Sequence, residues 1–177
     1  MLLGIGGISR SGKTKLAKEI ARWMRQKGKS VVVLHQDACI MPEAQIPTIT
    51  RDGDTHIDWE HPDSIDWVRW EQSILEAKKT HDVVIAEGLF AFWKPEINAL
   101  FDQKLFVSIR EETFYKRKAN DKRWGEEPDW YVKYIWEAYQ QYGKVPENLP
   151  DVLYISGEKP LGQLEMENDR LIICGNY

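Results

Sequence analysis

Gly7-Ile8-Ser9-Arg10-Ser11-Gly12-Lys13-Thr14 is the stretch on which the reading of this chain turns. It fits the spacing G-x-x-x-x-G-K-[ST] without a mismatch. Glycines at those places let the backbone fold tightly, so that consecutive N–H groups point inward at phosphate oxygens. Just before it, Leu2-Leu3-Gly4-Ile5-Gly6 reads as a short buried strand. Just after it, Leu16, Ala17, Ile20, Ala21 and Met24 fall at helical spacing over residues 13–27, and Gly28 closes that helix. The helix adds its positive N-terminal end to the same point. A glycine-rich turn that holds nothing is the bland alternative. The setting between a strand and an amphipathic helix, at the first strand of the chain, argues against it.

Outward from the cradle, apolar runs and helical spacings alternate. Residues 31–34 read as a second buried strand, 83–86 as a third ending at Glu87-Gly88, 105–109 as a fourth and 152–155 as a fifth, with 171–174 a candidate sixth. Helices are expected over 65–79, 111–123 and 129–142, the last two parted at Gly125 and Pro128. Asp63 or Ser64 is expected to cap the first of these three. Residues 38–63 hold prolines, acids and few apolar repeats, and read as an irregular excursion. Continuous apolar strands alternating with helices imply a parallel sheet of about five strands covered on both faces, the three-layer α/β architecture. Such sheets bind ligands beyond the carboxyl ends of their strands.

The 177 residues suit one domain, 1–177. A formal net charge of −4 advertises no nucleic-acid partner. No apolar run reaches the roughly 18 residues of a membrane span, so no membrane partner is expected. Cys39 and Cys174 match no zinc spacing and read as idle thiols in a reducing cytoplasm.

The chemistry-bearing residues follow the strand ends. In the cradle, Gly7, Ser9, Arg10, Ser11 and Gly12 surround a nucleotide's phosphates. Lys13 reaches the β- and γ-phosphates, and the Thr14 hydroxyl ligates Mg²⁺. Asp37 follows the second strand, where it can take a hydroxyl proton and help hold the metal through water. Glu87 ends the third, where a metal-orienting acid belongs. A loop residue and a strand-end acid paired with lysine are the bland readings of those two. Asp58 and Glu60 are not needed for capping, and either carboxylate suits a vicinal diol, with Trp59 able to stack on a flat base. Lys116, Arg117, Lys118, Lys122 and Arg123 form a basic stretch. For Lys116 and Lys122 a solvated face suffices. Arg117, Lys118 and Arg123 look like a lid, over about 115–136, that brings charge over ATP. Trp124, Trp130, Tyr131 and Trp136 flank the break, some packing the lid and one covering the acceptor's base.

The set resembles the uridine kinase and nicotinamide riboside kinase group of P-loop nucleoside kinases. The resemblance rests on Gly7 to Thr14, His35-Gln36-Asp37, the stretch from Asp58 to Asp66, Glu87-Gly88 and the stretch from Lys116 to Trp136, and spans about residues 3–160. It implies the three-layer P-loop NTPase fold with a helical lid, ATP and Mg²⁺ as cofactors, and a small nucleoside as acceptor. Asp37 is then the proton acceptor, Thr14 with Asp37 or Glu87 serves Mg²⁺, and Asp58 or Glu60 holds the ribose diol. Tyr131 joins the acceptor site. Ser156-Gly157-Glu158-Lys159 looks like the loop that lies against adenine, which makes Gly157 and Lys159 nucleotide contacts. The short chain and Trp-rich lid look more like nicotinamide riboside kinases, and His61-Pro62-Asp63 more like uridine kinases.

The chain departs from the group in three places. Lys15 replaces a second small hydroxyl residue, Ala38-Cys39 replace an acid and aromatics after Asp37, and Lys118 stands for one of two paired arginines. The expected activity is transfer of the ATP γ-phosphate to a nucleoside 5′-hydroxyl, nicotinamide riboside ahead of uridine or cytidine. A kinase for another small metabolite, such as a sugar acid or a pantothenate-like alcohol, and a non-enzymatic nucleotide-binding regulator are the competing readings. A monomer or a homodimer would suit either kinase.

Overall fold

The computed structural model describes residues 1–121, 127–167 and 170–174. Five strands form one parallel sheet: β1 (Leu2–Gly6), β2 (Val31–His35), β5 (Val83–Glu87), β6 (Gln103–Ser108) and β7 (Val152–Ser156), in the spatial order β2-β5-β1-β6-β7. Between β2 and β5 the chain makes a hairpin, β3 (Thr48–Arg51) with β4 (Asp54–Ile57). After β7 it makes a second hairpin, β8 (Gln163–Glu167) with β9 (Arg170–Cys174). The helices are α1 (Lys13–Gln26), α2 (Trp67–Thr80), the short α3 (Pro95–Asn98), α4 (Glu111–Ala119) and α5 (Asp129–Ala138).

Strand periodicity divides the core into two layers. Along β5, Val83 and Ile85 face one side while Val84 and Ala86 face the other; Leu105 and Phe106 divide β6 in the same way. On the first side α1 buries Leu16, Ala17, Ile20, Ala21 and Met24, joined by Leu171 and Ile173 of β9. On the second, Trp70 and Ile74 of α2, Phe114 of α4 and Tyr131 and Ile135 of α5 pack together. Trp70 is wholly buried, and truncating it to alanine would cost about 3–5 kcal/mol. β1 and β5 are buried along their whole length because both have strand neighbours and both faces covered, whereas β2 at the edge is half-buried.

The strand order reverses direction at β1. β1 leads to β2 on one side of it and β6 pairs on the other, so the loop after β1 opens at the topological switch point. Four expectations change. The excursion 38–63 contains the β3–β4 hairpin, turned by Asp52 and Gly53, both at positive φ (53° and 85°). The run 171–174 is not a sixth strand of the parallel sheet but half of an antiparallel hairpin, tied to β6 by Gln103, whose amide exchanges two hydrogen bonds with Leu171. The cap of α2 is Asp66, whose carboxylate accepts from the Arg69 N–H at 3.0 Å; Asp63 and Ser64 lie in a separate tight turn started by His61. The stretch 129–142 is α5 followed by a wider turn over Tyr139–Gly143. Among the described residues no helix is long and apolar enough to cross a membrane.

Candidate active site

The loop between β1 and α1 takes the cradle shape its glycines allow. Gly7 has φ 141°, and a Cβ there would lie 2.3 Å from the Val107 carbonyl oxygen, so no other residue fits. Among the described residues no side chain caps the start of α1, which leaves its first N–H groups available to a ligand. Ser11 is wholly buried, and its hydroxyl has no hydrogen-bond partner among the described residues. A polar group sealed from water without a partner is costly unless a ligand completes it. Lys13 Nζ donates to the Ile8 carbonyl at 3.0 Å, folding the ammonium over the loop. Together these features suit a chelated polyphosphate.

Beside the loop, Glu87 is buried to 5% exposure at the end of β5. Its Oε1 accepts from the Thr14 hydroxyl at 2.8 Å and contacts His35 Nδ1 at 2.7 Å. The contact with His35 follows from register, since the two residues are directly paired across β2 and β5. Thr14 and Glu87, expected at the metal, thus meet. Asp37 lies exposed on the tight turn Gln36–Ala38 that follows β2. Among the described residues no group of three or more His, Cys, Asp or Glu side chains forms a cage for a metal ion. Magnesium in phosphoryl transfer is usually held by one or two side chains and by the substrate's phosphates, which fits the Thr14–Glu87 pair.

A second set of residues gathers on the α5 side. Asp58 is buried to 5% exposure. Its Oδ2 accepts from the Tyr134 hydroxyl at 2.6 Å and its Oδ1 from the Glu60 N–H at 3.1 Å. Glu60 is half-buried as a residue, but its Oε2 is sealed from water and has no hydrogen-bond partner among the described residues. Burial pushes the Glu60 carboxyl up to about 8; the Lys118 ammonium opposes this, and the charges of Asp58, Asp37 and Glu127 add to it. Lys118 is buried, and its ammonium lies 3.0 and 2.7 Å from the two oxygens of Glu127. Tyr131 is buried with its ring 4.1 Å from that of His56, its hydroxyl donating to the Ile57 carbonyl at 3.4 Å. Burial, then the neighbouring carboxylates, push both tyrosine hydroxyls well above their ordinary range.

The structure therefore brings Asp37, Asp58, Glu60 and Lys118 into one electrostatic neighbourhood. Lys118 lies with these acids through Glu127 rather than on the cradle. Arg117 turns its guanidinium onto the main-chain carbonyls of Arg10, Ser11 and Gly157. Gly157 and Lys159, expected as nucleotide contacts, line a cleft with Ser11, Gly12 and Lys15 of the loop and α1. Trp59 is partly buried against the core. Arg123, with Lys122, Trp124 and Gly125, lies outside the described residues.

No protein-family model matches the chain. Nicotinamide riboside kinase 2 of Homo sapiens is 26% identical over 188 residues, covering 94% of this chain and 78% of that protein. The uridine kinase of Leuconostoc citreum (strain KM20) is 21% identical over 196 residues, covering 94% of this chain and 92% of that protein. The chain is similar to the P-loop nucleoside kinases. By that kinship it is a phosphotransferase. A solved gluconokinase from Sinorhizobium meliloti 1021 has the same fold, with a TM-score of 0.53 at 17% identity over 90% of this chain and 83% of that one. A likeness at that level concerns architecture alone and leaves the acceptor to the site.

Against this nucleoside-kinase frame, sequence reasoning missed Tyr134 and Glu127, and it quoted His35 and Gln36 within a motif without giving either a role. Tyr134 carried a signal, since it stands one helical turn after Tyr131 on α5. Gln36 accepts from the Phe90 N–H at 3.0 Å and leaves its amide nitrogen buried without a partner among the described residues, which only the packed strand ends reveal. Glu127 pairs with Lys118 nine residues away across the lid, beyond the reach of any local pattern.

Proposed function

We propose that the chain is a Mg·ATP-dependent kinase that phosphorylates the 5′-hydroxyl of a nucleoside, foremost nicotinamide riboside, to give the 5′-mononucleotide. The observation that carries the choice of acceptor is the acidic neighbourhood beside the cradle. The charges of Asp37, Asp58, Glu127 and Lys118 all act on Glu60, and the one cation among them, Lys118, is already paired with Glu127. A pyridinium riboside carries a fixed positive charge, and Coulomb attraction to carboxylates grows as the surroundings become less polar. A neutral pyrimidine riboside gains nothing from that field. Aromatic rings in the same region, those of Trp59, Tyr131 and Tyr134, add faces that attract a cation.

In this reading the loop N–H groups, the start of α1 and Lys13 bind the β- and γ-phosphates. Lys13 gives up its contact with the Ile8 carbonyl for phosphate oxygens. Thr14 and Glu87, with Asp37, would hold magnesium, which would neutralise the charge of the phosphates. Asp37 accepts the 5′-hydroxyl proton as that oxygen bonds to the γ-phosphorus. The bond to the β-bridging oxygen breaks, and ADP leaves. Asp58, fixed by Tyr134, keeps lone pairs for the ribose diol. The pair of free thiols, Cys39 and Cys174, suits a cytoplasmic setting.

A uridine or cytidine kinase is the second reading, favoured by the likeness to uridine kinase over most of both chains. ADP release from Mg·ATP across nicotinamide riboside, nicotinic acid riboside, uridine, cytidine, adenosine and gluconate separates the two. The highest kcat/KM is expected with nicotinamide riboside. A preference for uridine transfers the assignment to the pyrimidines, and silence with every riboside while ATP binds removes the nucleoside altogether.

A further inference from the structure

Arg117 stands in the last turn of α4, yet all its described hydrogen bonds go to the main chain of other segments. Nη1 donates to the Arg10 carbonyl at 3.0 Å and to the Ser11 carbonyl at 3.4 Å, and Nη2 donates to the Gly157 carbonyl at 2.8 Å. Two of these carbonyls belong to the crest of the phosphate loop and the third to the turn after β7. The two segments touch: a Cβ on Gly157 would lie 2.3 Å from the Ser11 oxygen. Carbonyl oxygens crowded in this way repel unless a donor joins them, and a planar guanidinium can serve several at once where an ammonium cannot.

The crest also needs support. Arg10 has φ 64°, the left-handed region that costs a residue with a Cβ free energy. Asp121, one turn beyond Arg117, pairs with the Arg10 guanidinium at 3.6 Å. The end of α4 thus grips the crest by main chain and by side chain.

We propose that Arg117 is a positioning residue that holds the phosphate loop in its left-handed Arg10 conformation and locks it to the turn after β7, rather than a ligand of the transferring phosphate. The inference rests on the loop being the site of the ATP phosphates. It makes the shape of the loop depend on α4, the helix that leads into the lid.

The test is calorimetric titration of ATP and of ADP into the wild type, Arg117→Lys, Arg117→Ala, Arg10→Gly and the Arg10→Gly/Arg117→Ala double variant, with folding checked by thermal melting. Arg117→Ala is expected to weaken ATP and ADP by the same factor, about tenfold or more. Arg117→Lys should fall nearly as far, because a single ammonium cannot span the two segments; it carries the test if the alanine variant does not fold. In the Arg10→Gly background, where glycine takes the left-handed conformation freely, loss of Arg117 should cost several-fold less. A much larger loss for ATP than for ADP, or the same loss in both backgrounds, would overturn the inference in favour of direct phosphate contact. Unimpaired binding by both Arg117 variants would overturn it too. Failure of the wild type to bind ATP would instead remove the proposed function.

Discussion

The donor half and the acceptor half of the site are built in different ways. In the proposed reading the donor half centres on one stretch, Gly7 to Thr14, joined by Glu87, and its working groups are largely backbone N–H groups placed by glycine and by the start of α1. The acceptor half is assembled from side chains of four segments: the turn after β2, the segment after β4, α4 and α5. Backbone chemistry is indifferent to most side-chain changes, so the donor half leaves a fixed pattern in the sequence. Side-chain chemistry can be met by many residue combinations. The acceptor half is therefore where a chain of this fold can change its substrate.

If that division is right, substitutions in the two halves should fail differently. The largest effect is expected at Asp37, which touches both. Asp37→Asn should lower turnover by about two to four orders of magnitude while ATP still binds, as rapid-quench kinetics beside ATP titration would show. Near-normal turnover would dissolve the assignment of the base. Next comes Glu87→Gln on the donor side. Losing the carboxylate that holds the Thr14 hydroxyl should raise the magnesium concentration needed for half-maximal ATP binding by about tenfold, with acceptor KM unchanged. A shift in acceptor KM instead would blur the two halves.

On the acceptor side, Tyr134→Phe removes the hydroxyl that fixes Asp58. It should raise acceptor KM by about five- to tenfold and leave ATP affinity alone, since the lost bond holds Asp58 rather than the acceptor and only part of the roughly 1.5–3 kcal/mol that a hydrogen bond to a charged group is worth reaches KM. The pH dependence sharpens the same contrast. Glu60 is raised to about 8 chiefly by burial, so it is neutral below that pH and ionised above it. The KM for nicotinamide riboside should fall as pH rises from about 7 to 9, that for uridine should stay flat, and Glu60→Gln should abolish the slope. The sign for stability is opposite. The folded state holds this proton more tightly than the unfolded chain, so the group's contribution is full at low pH and is lost as pH rises toward 8. The smallest effect lies outside both halves: Asp66→Ala should cost about 1 kcal/mol of stability through loss of the α2 cap, read by urea denaturation, with kinetics unchanged.

Legibility in the sequence follows the same divide. The cradle, the five parallel strands and the meeting of Thr14 with Glu87 could all be read, because strand runs and a contiguous motif encode them locally. The Asp52-Gly53 turn was a readable signal flanked by short β-branched runs, yet the prolines and acids around it hid the hairpin. Arg117 was legible only as a cation near the lid; that its guanidinium turns to main-chain oxygens depends on where α4 docks. The pairing of Lys118 with Glu127 and of Tyr134 with Asp58 depends on how α5 packs across the segment after β4, which no local spacing specifies.

The central claim is that Mg·ATP delivers its γ-phosphate to the 5′-hydroxyl of a cationic riboside with Asp37 as base. Phosphorus NMR of the products formed from Mg·ATP and nicotinamide riboside, by the wild type and by Asp37→Asn side by side, tests it most directly. The account predicts a 5′-monophosphate resonance growing in step with ADP for the wild type, near-silence for the variant, and no transfer to 5′-deoxy nicotinamide riboside. Equal product from both proteins, or ADP formed without a phosphorylated riboside, would contradict it.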